Sequence, residues 1–222
     1  MSKLTDNLDS IAEGIRQNLT AKDGVREKVL PLCREVIRYS STTIRAVHRR
    51  EFGTAGELLE SARSLLKETE QELRDCDELR HTGYFRDAQK EFAEASITLA
   101  LVTENQPPGP DDLGINASAY LNGLGEAVGE LRRYLLDSIR RDELSRVEEL
   151  LTVMDDIYNI LVTMDFPDAI TGGLRRTTDM VRGILERTRS DLTLVIQQKR
   201  LEEKLKAFDT KFGQADTELS AD

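Results

Sequence analysis

Apolar residues recur along this chain every three or four positions and almost nowhere alternate, which predicts helices and no sheet. Residues 4–19 read as a first helix, with a break at 21–24. A long helix then runs to about Arg50 on Val25, Val29, Leu32, Val36, Ile37, Ile44 and Val47, with Pro31 kinking it or marking its true start. Gly53 opens the next helix, where Thr54 and Glu57 have capping-box spacing and Leu58, Leu59, Ala62, Leu65, Leu66 and Leu73 form the apolar face. His81-Thr82-Gly83 marks a turn. Over 84–104, Ala88, Phe92, Ala95, Leu99 and Val102 step by four, three, four and three, the spacing of helix–helix packing. Residues 105–110 hold three of the five prolines and form the clearest loop. A helix over 118–140 carries Leu121, Leu124, Val128, Leu131 and Leu135. Another, beginning at Asp142, reaches about Met164 through Leu150, Met154, Ile157 and Leu161 and ends at Phe166-Pro167. After Gly172-Gly173 the last helix runs to about Leu205. The expectation is one all-α domain over 1–205, a bundle of about seven helices, with 206–222 a polar, aperiodic, disordered tail.

Composition supports this picture. Aromatic residues make up 5% of the chain and tryptophan is absent, so Leu, Ile, Val and Ala carry the apolar load, as in helical proteins. No unbroken run of 18 apolar residues occurs, which excludes a membrane helix. The first 19 residues are polar and of mixed charge rather than a secretory signal, so the expected compartment is the cytoplasm. Cys33 and Cys76 stand alone and read as buried free thiols. A net charge of −10 argues against a nucleic-acid binder, but the charge is segregated. Bases outnumber acids seven to two between Arg26 and Arg50 and seven to three between Arg175 and Arg200, while 57–78 and 142–168 are acidic. That distribution permits a basic face and is equally compatible with ordinary solvated helix surface.

Most catalytic signatures are missing: no GxxxxGK[ST] loop, GxGxxG, GxSxG or HExxH occurs, and His48 and His81 are the only histidines. Any enzymatic chemistry therefore falls to carboxylates with a metal. Glu91 and Glu94, three apart, share one side of the 84–104 helix with Asp87, beside its apolar seam. Glu126 and Glu130, four apart, point away from the Leu stripe of the 118–140 helix, which reads as an exposed acidic face unless it lines a cavity. Such pairs repel by about 0.2–0.5 kcal/mol each, and a divalent cation relieves the repulsion. Mg²⁺ favours a few carboxylates plus phosphate oxygens and supports phosphodiester hydrolysis without histidine. Structural charge clusters look the same in sequence.

Several stretches resemble the translin family, closest to its translin-associated factor X branch and archaeal-like. Lys90-Glu91-Phe92-Ala93-Glu94-Ala95 is similar to that branch's Glu-aromatic-x-Glu helix. The run from Tyr120 to Arg133, with Tyr120-Leu121, Gly123 and Glu130-Leu131-x-Arg133, resembles the family signature. Arg34-Glu35 with His48-Arg49, and Leu174-Arg175-Arg176, resemble two further motifs in the same order. The resemblance implies a seven-helix fold assembled into a hollow homo-oligomer, octamer-like, or a hetero-oligomer with a translin-like subunit. It implies single-stranded RNA or single-stranded DNA bound inside and, for the factor X branch, a Mg²⁺-dependent endoribonuclease, Mn²⁺ being an alternative ion. Carried over by position, the catalytic and metal-holding acids are Glu91, Glu94, Glu126 and Glu130. The chain departs at Glu126, where the active branch has Asp and translin itself an apolar residue; the charge is kept and one methylene added. Nucleic-acid contacts fall on Arg175 and Arg176, on Arg86 and Lys90 of the carboxylate helix, on His81, and on Tyr84 by stacking. Two other readings stay open: a non-catalytic single-strand-binding module and a helical protein-binding scaffold.

Overall fold

The computed structural model describes the backbone of residues 3–219 and the side chains of 7–208. Nine helices and no strand occur among the described residues: α1 (Lys3–His48), α2 (Phe52–Glu72), α3 (Asp77–Arg80), α4 (Gly83–Val102), α5 (Pro110–Leu113), α6 (Ala117–Arg140), α7 (Val147–Thr163), α8 (Asp168–Thr171) and α9 (Leu174–Leu219). Six are long; α3, α5 and α8 are four-residue turns inside the expected connections. None is long and apolar enough to cross a membrane among the described residues.

The apolar stripes face inward as their spacing predicts. Phe92 on α4, Leu131 and Leu135 on α6, Leu150 and Met154 on α7, and Val29 and Val36 on α1 are all buried in one contiguous core. Helices α1 and α2 form a hairpin, α4 packs against both, α6 packs on α4, and α7 and α9 pack on α6. Helices α4 and α6 therefore lie at the centre, each with neighbours on more than one side.

Four boundaries differ from expectation. The break at 21–24 is absent: α1 is continuous through Gly24 and Pro31. One glycine in a helix costs only about 1 kcal/mol against alanine, and packing of Val29, Cys33 and Val36 offsets the proline. The Thr54/Glu57 capping box does not form, because α2 already begins at Phe52, with Glu51 as N-cap and no side-chain cap bond. The helix expected from Asp142 begins at Val147; Asp142 instead adopts a positive φ of 59° at the end of α6. Finally, α9 passes the boundary expected at 205 and continues to Leu219, since no proline follows Pro167 to stop it. Residues 220–222 of the expected tail, and the side chains of 209–222, lie outside the described residues.

The two thiols differ. Cys33 is buried, and burial pushes its pKa up to about 11, whereas Cys76 is half-buried. The thiolate is the reactive form. A thiol-specific reagent at pH 8 is therefore expected to label Cys76 in the native protein and Cys33 only after denaturation, read by mass spectrometry; comparable native labelling of Cys33 contradicts its burial.

Candidate functional site

Helix α4 presents Asp87, Lys90, Glu91 and Glu94 along one side, and α6 presents Glu126 opposite them. The two helices meet at Gly123. A Cβ built there would lie 2.7 Å from both Ala93 Cβ and the Lys90 carbonyl oxygen and 3.1 Å from the Glu94 nitrogen. The missing side chain lets the helices approach closely enough for their carboxylates to converge. One carboxylate oxygen from each of Glu91, Glu94 and Glu126 lies within 4.8 Å of the others. Glu126 reaches this cluster despite the extra methylene.

Charge compensation is incomplete. Lys90 Nζ lies 2.8 Å from Glu126 and 3.7 Å from Glu91. Burial pulls the Lys90 pKa down, but the bond to Glu126 and the charges of Glu126, Glu91 and Asp87 outweigh it and hold it above its usual value. Burial also raises Glu91; the Lys90 charge opposes this, and Glu126 and Asp87 reinforce it. Glu94 is only 8% exposed. Burial, followed by the charges of Glu91, Glu126 and Glu130, pushes its pKa up to about 8 against the weaker pull of Lys90. Three glutamate oxygens, one deeply buried and short of positive charge, form a hard-oxygen donor set that suits Mg²⁺ or Mn²⁺.

Beside the cluster lies a cavity of about 660 Å³ lined by Arg86, Lys90, Ser118, Asn122, Glu126 and Arg176, among others. Neither Arg86 nor Arg176 has a carboxylate partner among the described residues, so both guanidinium groups are available to an anion. Gly172, with φ 63°, crowds this corner: a Cβ there would meet Ser118 Oγ at 2.7 Å and Arg86 Nη1 at 3.2 Å. Asn122 ties the walls together. Its amide nitrogen donates to the Ser118 and Thr171 carbonyls, both at 2.8 Å, and its oxygen accepts from Thr177 Oγ1 at 2.7 Å. A second cavity of about 500 Å³, sharing Arg86 and Ser118, is lined by Arg80 and His81.

The expected site residues thus divide. Glu91, Glu94 and Glu126 come together. Glu130 stands outside that trio: its carboxylate bonds His48 Nε2 at 2.5 Å and has Arg133 at 4.0 Å. The outward-facing acidic face expected for Glu126 and Glu130 is only partly exposed: Lys90 of α4 lies against Glu126, and His48 at the end of α1 lies against Glu130. Lys90 serves carboxylates directly. Arg86, Arg176 and His81 face the two cavities. Arg175, about 100° round the helix from Arg176, pairs with Asp165 at 3.7 Å and lines other recesses. Tyr84 is partly buried against the core, and its hydroxyl is buried with no hydrogen-bond partner among the described residues. Ser118, Asn122 and Gly172 were not singled out from sequence as site residues. Asn122 sits inside the recognisable Leu-Asn-Gly run, whereas Gly172 reads from sequence only as part of a Gly-Gly helix break and Ser118 only as a helix start.

No protein-family model matches the chain. It is 33% identical over 193 residues to an uncharacterised protein of Methanocaldococcus jannaschii, MJ0175, a match spanning 85% of this chain and 84% of the relative. Among solved structures it resembles AfC3PO in complex with duplex RNA, at 31% identity and a TM-score of 0.75, covering 84% of this chain and 97% of that one. Apo-NeC3PO has the same fold, with a TM-score of 0.69 at 19% identity, over 89% of this chain and 98% of that one.

Proposed function

The chain belongs to the C3PO/translin family, and from that premise we propose that it is a divalent-metal-dependent endoribonuclease acting on single-stranded RNA. The convergence of Glu91, Glu94 and Glu126 beside a cavity carrying two arginines with no carboxylate partner among the described residues supports this reading most directly. That AfC3PO has been solved with duplex RNA supports RNA as the ligand class. An unpaired strand is proposed because its backbone can bend into a recessed cavity beside the acids.

In this reading Glu91, Glu94 and Glu126 hold Mg²⁺ or Mn²⁺. The ion supplies Lewis-acid charge stabilisation for phosphodiester hydrolysis. Lys90 holds the Glu126 carboxylate in place and offsets part of the cluster's charge. Arg86 and Arg176 bind backbone phosphates on the far side of the cavity and orient the strand. These contacts carry no base readout, so binding is sequence-tolerant and salt-sensitive.

The assembly is proposed to be a homo-oligomer. Leu8, Ile11, Ile15 and Leu19 form a stripe of coiled-coil spacing on α1 that this chain leaves exposed. An Ile11→Glu/Ile15→Glu variant is expected to lower the solution mass by light scattering; an unchanged mass contradicts this role for the stripe.

The direct test incubates the full chain with labelled single-stranded RNA in Mg²⁺ or in EDTA. Cleavage in Mg²⁺, its loss in EDTA and its loss in a Glu91→Ala/Glu94→Ala variant are expected. Cleavage persisting in EDTA or in that variant refutes the reading. Salt-dependent RNA binding without cleavage indicates a non-catalytic binding module, and no binding at low salt indicates a protein scaffold.

A further inference from the structure

His48 lies in the last turn of α1, far along the chain from the acids, yet it touches one of them. Its side chain is 5% exposed, and Nε2 lies 2.5 Å from Glu130 Oε2. Because the acceptor is a carboxylate, the contact assigns the proton to Nε2. Nδ1 is buried with no hydrogen-bond partner among the described residues. An apolar side chain of similar size would fill this corner without leaving a nitrogen unpaired, so core filling alone does not account for the histidine.

Glu130 follows Glu126 by one turn of α6, and its charge is among those felt at Glu94. Like charges at this spacing repel, and the Glu130 side chain is 25% exposed, so solvent is within its reach. The other charged group facing it, Arg133, is 59% exposed and stands at 4.0 Å, at the limit of an ion pair. His48 is the buried donor that holds this carboxylate inward. Carboxylates near a bound cation are commonly fixed by such a hydrogen bond from behind, and losing the donor costs about 10–100-fold in metal affinity or activity.

We infer that His48 is a positioning residue: its Nε2–H holds Glu130 at the edge of the Glu91/Glu94/Glu126 cluster, where the fourth carboxylate strengthens the site's hold on a divalent cation. The inference rests on reading the cluster as a cation site. It concerns affinity, so its test needs no RNA.

Mn²⁺ is titrated into the metal-stripped full chain, and free Mn²⁺ is read by electron paramagnetic resonance. His48→Leu is expected to weaken binding by about 10-fold or more. His48→Gln, whose amide N–H also donates to a carboxylate, recovers part of the loss. A His48→Leu/Glu130→Gln double variant binds no more weakly than Glu130→Gln alone, because both changes remove the same contribution. Thermal melts of His48→Leu are expected to match or exceed the wild type, since the unpaired nitrogen is gone; should that variant not fold, His48→Gln against wild type decides. Wild-type Mn²⁺ affinity in a folded His48 variant overturns the inference, as do additive losses in the double variant. A wild-type chain that binds no Mn²⁺ overturns the cation site and the inference together. One that binds Mn²⁺ but leaves RNA intact removes the ribonuclease reading alone.

Discussion

A Glu94→Gln variant is expected to lose metal-dependent RNA cleavage by at least about 100-fold and, when stripped of metal, to melt higher than the wild type at pH 8. The first effect follows from position. Glu94 is the most buried of the three converging acids, and losing a direct ligand costs more than losing an outer hydrogen-bond partner. The second follows from linkage. Burial, then the Glu91, Glu126 and Glu130 charges, raises the Glu94 pKa in the folded chain to about 8, whereas an unfolded glutamate titrates near 4.3. The folded state therefore binds this proton more tightly than the unfolded state. Below about pH 4 both states are protonated and the group contributes nothing to the pH dependence. As pH rises from there to about 8, stability falls, by an amount on the order of a few kcal/mol. Glutamine cannot ionise, so the variant keeps the stability that the wild type loses. Melts in EDTA between pH 5 and 8 measure the difference. In the proposed metal-site reading, Mg²⁺ or Mn²⁺ is expected to reverse it, because a bound ion would replace the proton as the compensating charge. Identical pH profiles for wild type and Glu94→Gln in EDTA rule out this electrostatic account of the cluster.

Gly123→Val is expected to destabilise the fold and to abolish high-affinity Mn²⁺ binding, with Gly123→Ala intermediate. The Cβ would come within 2.7 Å of the Lys90 carbonyl and 3.1 Å of the Glu94 nitrogen, both backbone atoms that cannot swing aside. Relief requires α4 and α6 to move apart. Overpacking of this kind costs about 1–3 kcal/mol, and the separation falls between Glu94 and Glu126. Gly129 on the same helix supplies the control: the nearest atom to a Cβ there is Ile184 Cδ1 at 3.9 Å. Gly129→Ala is therefore expected to be neutral or to stabilise by up to about 1 kcal/mol through helix propensity. Chemical denaturation and Mn²⁺ titration of the three variants test the contrast. Equal stability and affinity for Gly123→Ala and Gly129→Ala contradict the requirement for close approach.

Much of the fold was legible because helical periodicity is local. The stripes Ala88/Phe92/Ala95 and Leu124/Val128/Leu131 report their own helices without reference to any neighbour, and all six residues are buried. Boundaries were less legible. Gly24 and Pro31 read as breaks but lie within one continuous helix, and Thr54 with Glu57 reads as a cap but lies inside α2. Local signals of about 1 kcal/mol yield to packing.

For the site, the sequence by itself placed Glu91 and Glu94 on one face of a helix and, through motif resemblance, joined them to Glu126 and Glu130. It also supplied the segregation of charge that a net −10 conceals. Only the tertiary structure decided which of these acids meet. It brought three together, set Glu130 against His48, turned Arg86 and Arg176 towards the cavity and Arg175 away from it. The physical reason is that spacing along a helix gives an angle about that helix's own axis. Whether a face meets water, a lysine or another carboxylate depends on which helix packs beside it and how closely, and at this site that closeness is set by the absent side chain of Gly123.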